Sequence, residues 1–188
     1  MILSVLSPKG GVGKTTTSMH LAAAFSEHGT TVHVLDLDPQ GSALDWAQRA
    51  KLDGHPLTFP VTGTNPRTLD ATDADITIID GPPGDPKALD AARDLADLVI
   101  LPCRPTPADL TRIWDIRPAL DGTAWGVLLT SVRAGTSAPQ LVRDQLDAEN
   151  IPRFASEIPL REDIALSHGT NAIPHAAYTA LAHEIMEA

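Results

Sequence analysis

Two of the chain's four lysines bracket a glycine-rich run near the amino terminus, Ser7-Pro8-Lys9-Gly10-Gly11-Val12-Gly13-Lys14-Thr15-Thr16. Glycines let a backbone wrap tightly, so that successive N–H groups converge on phosphate oxygens where a strand turns into a helix. The backbone of Gly10, Gly11, Val12 and Gly13, with Lys14, Thr15 and Thr16 behind it, forms such a phosphate cradle. In that setting Lys14 neutralises the β and γ phosphates of a nucleotide, and the Thr15 hydroxyl ligates Mg2+. One position departs from the ordinary G-x-x-x-x-G-K-[ST] spacing: Pro8 stands where the first glycine belongs. Gly10, Gly11 and the additional Lys9 are its compensation.

Two further runs end in carboxylates. Val34-Leu35-Asp36-Leu37-Asp38-Pro39-Gln40-Gly41 reads as a strand end carrying Asp36 and Asp38. Ile76-Thr77-Ile78-Ile79-Asp80-Gly81-Pro82-Pro83-Gly84 has the form of a buried strand whose terminal carboxylate, Asp80, holds Mg2+ through water. Ligands of open α/β sheets bind beyond the carboxyl ends of the strands, so these carboxylates are expected to face the phosphates. A fourth run, Leu101-Pro102-Cys103-Arg104-Pro105-Thr106-Pro107-Ala108-Asp109, holds three prolines in six residues, which stiffens the loop beyond its strand. Cys103 reads as a small packing residue, because no His and carboxylate arrangement near it would activate a nucleophile. The seven histidines lack metal-binding spacing. Trp46, Trp114 and Trp125 are read as packing residues.

Strands and helices must alternate to place these runs at one edge. Apolar segments of strand length occur at Ile2–Leu6, Thr31–Leu35, Ile76–Ile79, Leu98–Leu101 and Trp125–Leu129. They lack polar alternation, as parallel strands buried on both faces do. Helical periodicity marks Thr15–His28, Ser42–Leu52, Ala88–Ala96, Ala108–Ile116, Pro139–Glu149 and Ala176–Glu187. In the first of these, Met19, Ala22, Ala23 and Phe25 fall near one face and Gly29 is the stop. The irregular stretch Asp53–Asp75 is expected to hold an edge strand at Leu57–Val61 and a short helix. The fold class that follows is α/β: a single-domain P-loop NTPase with a mostly parallel, doubly wound sheet flanked by helices.

With 188 residues, 43% of them hydrophobic and 20% charged, the chain has material for one core and is not globally disordered. A net charge of −10 excludes a generally basic nucleic-acid coat but leaves room for a local basic patch. One cysteine excludes an internal disulfide framework and a four-cysteine metal site. No apolar run is long enough to span a bilayer, and Met1 leads directly into strand-like residues without a basic leader. A cytoplasmic protein is expected.

The run K-G-G-x-G-K-T-T resembles the deviant Walker A motif of the ParA/MinD family of ATPases, most closely the short partition type. That resemblance covers most of the chain, and it carries implications beyond the residue chemistry. It implies that Lys9 is the signature lysine, crossing an ATP-dependent dimer to phosphates held by the partner subunit. It implies that Asp38 positions or activates the attacking water and that Asp36 supports the Mg2+ shell. Family members usually show Asp-Thr-Pro-Pro at the Asp80 run, so Gly81 is a departure. The proline-rich run resembles the segment lining the adenine pocket and dimer face, which assigns Pro105 and Pro107 to nucleotide contact. Ile158-Pro159-Leu160-Arg161 resembles the family's Ile-Pro-Arg stretch leading into a DNA-contacting region, displaced by one residue. Arg161 is therefore the first DNA candidate, with Arg133, Arg143 and Arg153 behind it.

The expected function is ATP-driven partition of a plasmid or chromosome: dimerisation on ATP, binding to nonspecific DNA on the nucleoid, and release on hydrolysis stimulated by a centromere-bound adaptor of the ParB or ParG type. The P-loop starts too early for an amino-terminal helix-turn-helix to precede it, so residues 1–188 are expected to be one ATPase domain. A membrane-cycling MinD-like ATPase is the alternative, but Pro174–Ala188 has no Lys or Arg to bind a membrane surface. A small-molecule enzyme on the same fold is the other, and it lacks a second substrate constellation.

Overall fold

The computed structural model describes residues 1–171 and 174–187. In chain order the elements are β1 (Ile2–Val5), α1 (Lys14–Glu27), β2 (Val32–Asp36), α2 (Ser42–Leu52), β3 (Val61–Gly63), β4 (Ile76–Asp80), α3 (Pro86–Leu95), β5 (Leu98–Cys103), α4 (Pro107–Ile116), β6 (Ala124–Leu129), α5 (Ala138–Ala148), α6 (Glu162–Ala165) and α7 (Ala176–Glu187). The strands form one six-stranded sheet in the order β3-β2-β4-β1-β5-β6. Every pairing is parallel. Beyond β6 the chain from Ile151 to Leu160 runs on as a broken edge, tied by the Phe154 N–H to the Val127 carbonyl and the Ile158 N–H to the Leu129 carbonyl.

Strand alternation divides the interior into two cores. Leu3, Val5, Val34, Ile76, Ile78 and Ile100 face α1, α2 and α7, whereas Leu35, Ile79, Val99, Leu101, Val127 and Leu129 face α3, α4 and α5. β4 is buried along its whole length, so its apolar run needs no polar face. Truncating Ile78 there to alanine would cost about 2–5 kcal/mol.

The structure corrects three local expectations. The edge strand is Val61–Gly63, not Leu57–Val61. Pro60 has no N–H to donate to a ladder, although its carbonyl accepts from the Val34 N–H, and Phe59 turns into the core. The short helix expected before Asp75 is a turn, closed by the Thr68 N–H on the Asn65 carbonyl. Finally, α1 is buried all round from Thr17 to Phe25 rather than on one face. The sheet covers one side, and Tyr178, Leu181 and Ile185 of α7 join the same core on the other. Gly29 does end α1, with a left-handed φ of 80°.

Candidate functional site

Parallel register brings the chemistry-bearing runs to one edge. Val5 at the end of β1 and Asp36 at the end of β2 both lie level with Asp80 at the end of β4. The P-loop leaves β1 from that level and enters α1 through Gly13, whose φ of 94° is in the left-handed region. Gly13 gives α1 no side-chain cap, which leaves the N–H groups of its first turn for a ligand. Gly11 is also left-handed, with φ 71°. The Thr130 hydroxyl at the end of β6 donates to the Val12 carbonyl at 2.9 Å and pins the loop from the opposite side.

Inside the loop, Lys14 is buried and its ammonium donates to the Lys9 carbonyl at 3.1 Å. Burial lowers its pKa, while Asp80 and Asp38 oppose that shift. Asp80 is fully buried and accepts hydrogen bonds from the Thr15 hydroxyl at 2.7 Å and the Ser18 hydroxyl at 2.9 Å. Burial pushes its carboxyl up to about 7; the two hydroxyls and Lys14 work against this, and the Asp36 charge adds to it. A hydroxyl and a carboxylate facing one another make a hard-oxygen pair suited to Mg2+.

Asp36 is buried, and both its oxygens accept backbone hydrogen bonds. Ala43 and Leu44, at the start of α2, each donate at 3.0 Å to one oxygen, and Asp38 donates at 3.2 Å to the other. Asp36 thus caps α2 and holds the backbone of Asp38. The Asp38 side chain is half-buried and accepts from the Gln40 N–H at 2.9 Å.

A cavity of about 490 Å3 opens over these groups. Gly10 through Thr16, Asp38, Arg104 and Thr130 line its floor and mouth, and Ile158–Arg161, Ile164 and Tyr178 its far wall. Pro105 and Pro107 do not line it; they flank Thr106, which caps α4. Lys9 points outward, and its ammonium is paired with the buried carboxylate of Asp109 at the start of α4. Of the four arginines read as DNA candidates, Arg161 stands on the cavity rim paired to Asp163. Arg143 and Arg153 are paired to Glu157 and Asp147. Arg133 is exposed and has no carboxylate partner among the described residues.

Four residues here escaped the sequence reading. Ser18 is one helical turn from Lys14 and Thr15, a spacing that could have found it. Thr106-x-x-Asp109 has capping spacing, and Thr106 does accept from the Asp109 N–H, which masks the second partner of Asp109. Thr130 and Arg104 carry no local signal. Cys103 is buried, with its thiol pushed up to about 12 chiefly by desolvation, as a packing residue should be.

Residues 3–174 match the CobQ/CobB/MinD/ParA nucleotide binding domain. The chain belongs to that family. Among its relatives, the maintenance of carboxysome distribution protein A of Gloeobacter kilaueensis is 41% identical over 140 residues, 70% of this chain and 63% of that protein. The chromosome-partitioning ATPase Soj of Thermus thermophilus is 39% identical over 123 residues, 58% of this chain and 48% of that protein. The matched segments therefore span less than two thirds of either relative. The septum site-determining protein MinD of Pyrococcus horikoshii, solved with Mg-ADP, shares the fold at a TM-score of 0.73 and 21% identity, over 98% of this chain and 95% of that one. Among the described residues no helix is long and apolar enough to cross a membrane.

Proposed function

We propose that this chain is a partition or positioning ATPase that binds ATP and Mg2+ and hydrolyses the γ-phosphate bond. The observation that carries the reading is the meeting of Thr15 and Asp80 at 2.7 Å beside a glycine loop, next to a cavity that Lys14, Thr15 and Asp38 line. Bound Mg2+ supplies charge neutralisation at the β and γ oxygens. Thr15 and Asp80, which share a hydrogen bond at 2.7 Å, are the residues that would hold it. Lys14 leaves the Lys9 carbonyl for phosphate oxygens. Asp38 orients the attacking water, and Asp36 holds Asp38 in place through its backbone.

The regulatory half of the reading concerns the outward residues. Lys9 leaves Asp109 to reach the phosphates of a second copy, so ATP favours a homodimer. Nonspecific DNA is held by Arg161 and Arg133, which lie on neighbouring segments joined by the Val132 and Pro159 bridge. Each subunit alone binds weakly at a net charge of −10, and dimerisation sets two patches side by side. A centromere- or cargo-bound adaptor of the ParB or ParG type stimulates hydrolysis and release, which places the protein on the nucleoid in the cytoplasm. A membrane-cycling role is disfavoured because the apolar face of α7 is already packed on α1.

DNA co-sedimentation with ATP, ADP or no nucleotide tests the whole cycle. ATP-dependent retention that falls steeply with salt, and is reduced in Arg161→Glu with dimerisation intact, is the expected result. Equal retention with ADP and ATP, or none at low salt, would overturn the DNA-switch reading. Lys14→Ala, folded but binding nucleotide as well as the unaltered protein does, would overturn the ATP site.

A further inference from the structure

Arg104 is the first residue beyond β5, between Pro102 and Pro105. Its carbonyl accepts from the Thr106 N–H at 2.7 Å and from the Cys103 thiol at 3.3 Å, so the backbone there is fixed on both sides. The side chain extends across to the P-loop and its guanidinium donates to the Gly11 carbonyl. Among the described residues six of the ten arginines, at 49, 93, 112, 143, 153 and 161, are ion-paired to carboxylates. Arg104 is not among them, and its acceptor is a neutral carbonyl. It lines the cavity together with Lys14 and Arg161. Arg161 is paired to Asp163 at the surface, and Lys9 is paired to Asp109. Among the described residues Arg104 is thus an arginine without an acidic partner, on a cavity that Lys14 and Asp38 also line.

We propose that Arg104 contacts the terminal phosphate of a nucleoside triphosphate held in the same subunit, and so sets a preference for triphosphate over diphosphate. The inference rests on the reading of the P-loop as a nucleotide site. Lys14, buried behind the loop, is one cation against the several charges of a triphosphate. A guanidinium presents planar paired donors that match a phosphate, and an anionic oxygen adds a Coulomb attraction that the neutral Gly11 carbonyl lacks. Exchange of the Gly11 carbonyl for a phosphate oxygen is therefore downhill, and the stiff loop limits the movement it needs. A diphosphate ends short of the mouth and leaves Arg104 on Gly11. The competing role is a brace that only holds Gly11 in its left-handed conformation. A brace serves both nucleotides alike.

The test is calorimetric titration of the unaltered chain, Arg104→Gln and Arg104→Lys with Mg·ADP and with a non-hydrolysable Mg·ATP analogue, at concentrations where light scattering shows monomer. Arg104→Gln should weaken the triphosphate analogue about tenfold or more and leave ADP within about twofold, with Arg104→Lys between. Retained ADP affinity also reports that the variant is folded. Equal losses for both nucleotides would establish the brace and overturn the proposal, as would no loss for either. Failure of the unaltered chain to bind any nucleotide would instead remove the site itself.

Discussion

Replacing Asp80 by Asn removes an ionisable group buried at the end of β4 while keeping the side chain's shape and its capacity for hydrogen bonding. The carboxyl is fully buried, with Thr15 and Ser18 as its hydroxyl partners. Burial raises its pKa from 3.8 to about 7, so the folded protein holds a proton there that the unfolded chain has already released. Stability from this group is fully present below the unfolded value and is lost as pH rises through the folded one. At about 1.4 kcal/mol for each pH unit, the full displacement corresponds to about 4 kcal/mol. Part of that returns when the Asn amide must turn a hydroxyl to accept, so the expected gain for Asp80→Asn is about 2–4 kcal/mol at about pH 8.5. At about pH 4.5 the carboxyl is protonated in the folded state, and the gain should shrink to about 1 kcal/mol or less. Urea denaturation in EDTA, followed by tryptophan fluorescence at both pH values, measures the difference. A gain of the same size at both would mean that packing rather than ionisation causes it. A variant less stable than the unaltered chain at the higher pH would refute the reasoning outright.

The other predictions concern neighbouring groups. Lys9→Ala leaves Asp109, only 3% exposed and with its second oxygen already unpartnered, without its cation. Because Lys9 itself is half-exposed, the loss should be about 1–2 kcal/mol. Adding Asp109→Asn should recover most of it in thermal denaturation, and an unchanged melting temperature in the single variant would count against the pair. Gly81→Thr would place a Cβ 2.5 Å from Leu6 Cδ2 and 3.2 Å from the Val5 carbonyl oxygen. A loss of about 1–3 kcal/mol in denaturant titration is expected, and no loss would show that Leu6 turns aside freely. Asp38→Ala should slow ATP hydrolysis about a hundredfold while Mg·ATP still binds. Wild-type turnover in a phosphate-release assay would remove Asp38 from the chemistry.

The P-loop and the run ending in Asp80 were legible because their chemistry is local. Glycines, a lysine and a threonine in fixed order can only act as a unit, and an apolar strand ending in a carboxylate declares its own exit from the sheet. The alternation of strands and helices was legible for the same reason, since buried parallel strands read as unbroken Val, Ile and Leu. What depends on distant partners was not. The 100-residue separation of Lys9 and Asp109 hides an ion pair that exists only because β1 and β5 are neighbours. Asp36 looked like a second metal carboxylate, yet its oxygens face the backbone of Asp38 and the first turn of α2, a matter of how the chain turns after β2. The Ile158–Arg161 run suggested a DNA surface, but whether an arginine is available to an anion depends on which carboxylate folds beside it. Register and packing set carboxylates beside Arg143 and Arg153 and left Arg104 over the P-loop, because side-chain charge is a property of the sequence and its neutralisation a property of the fold.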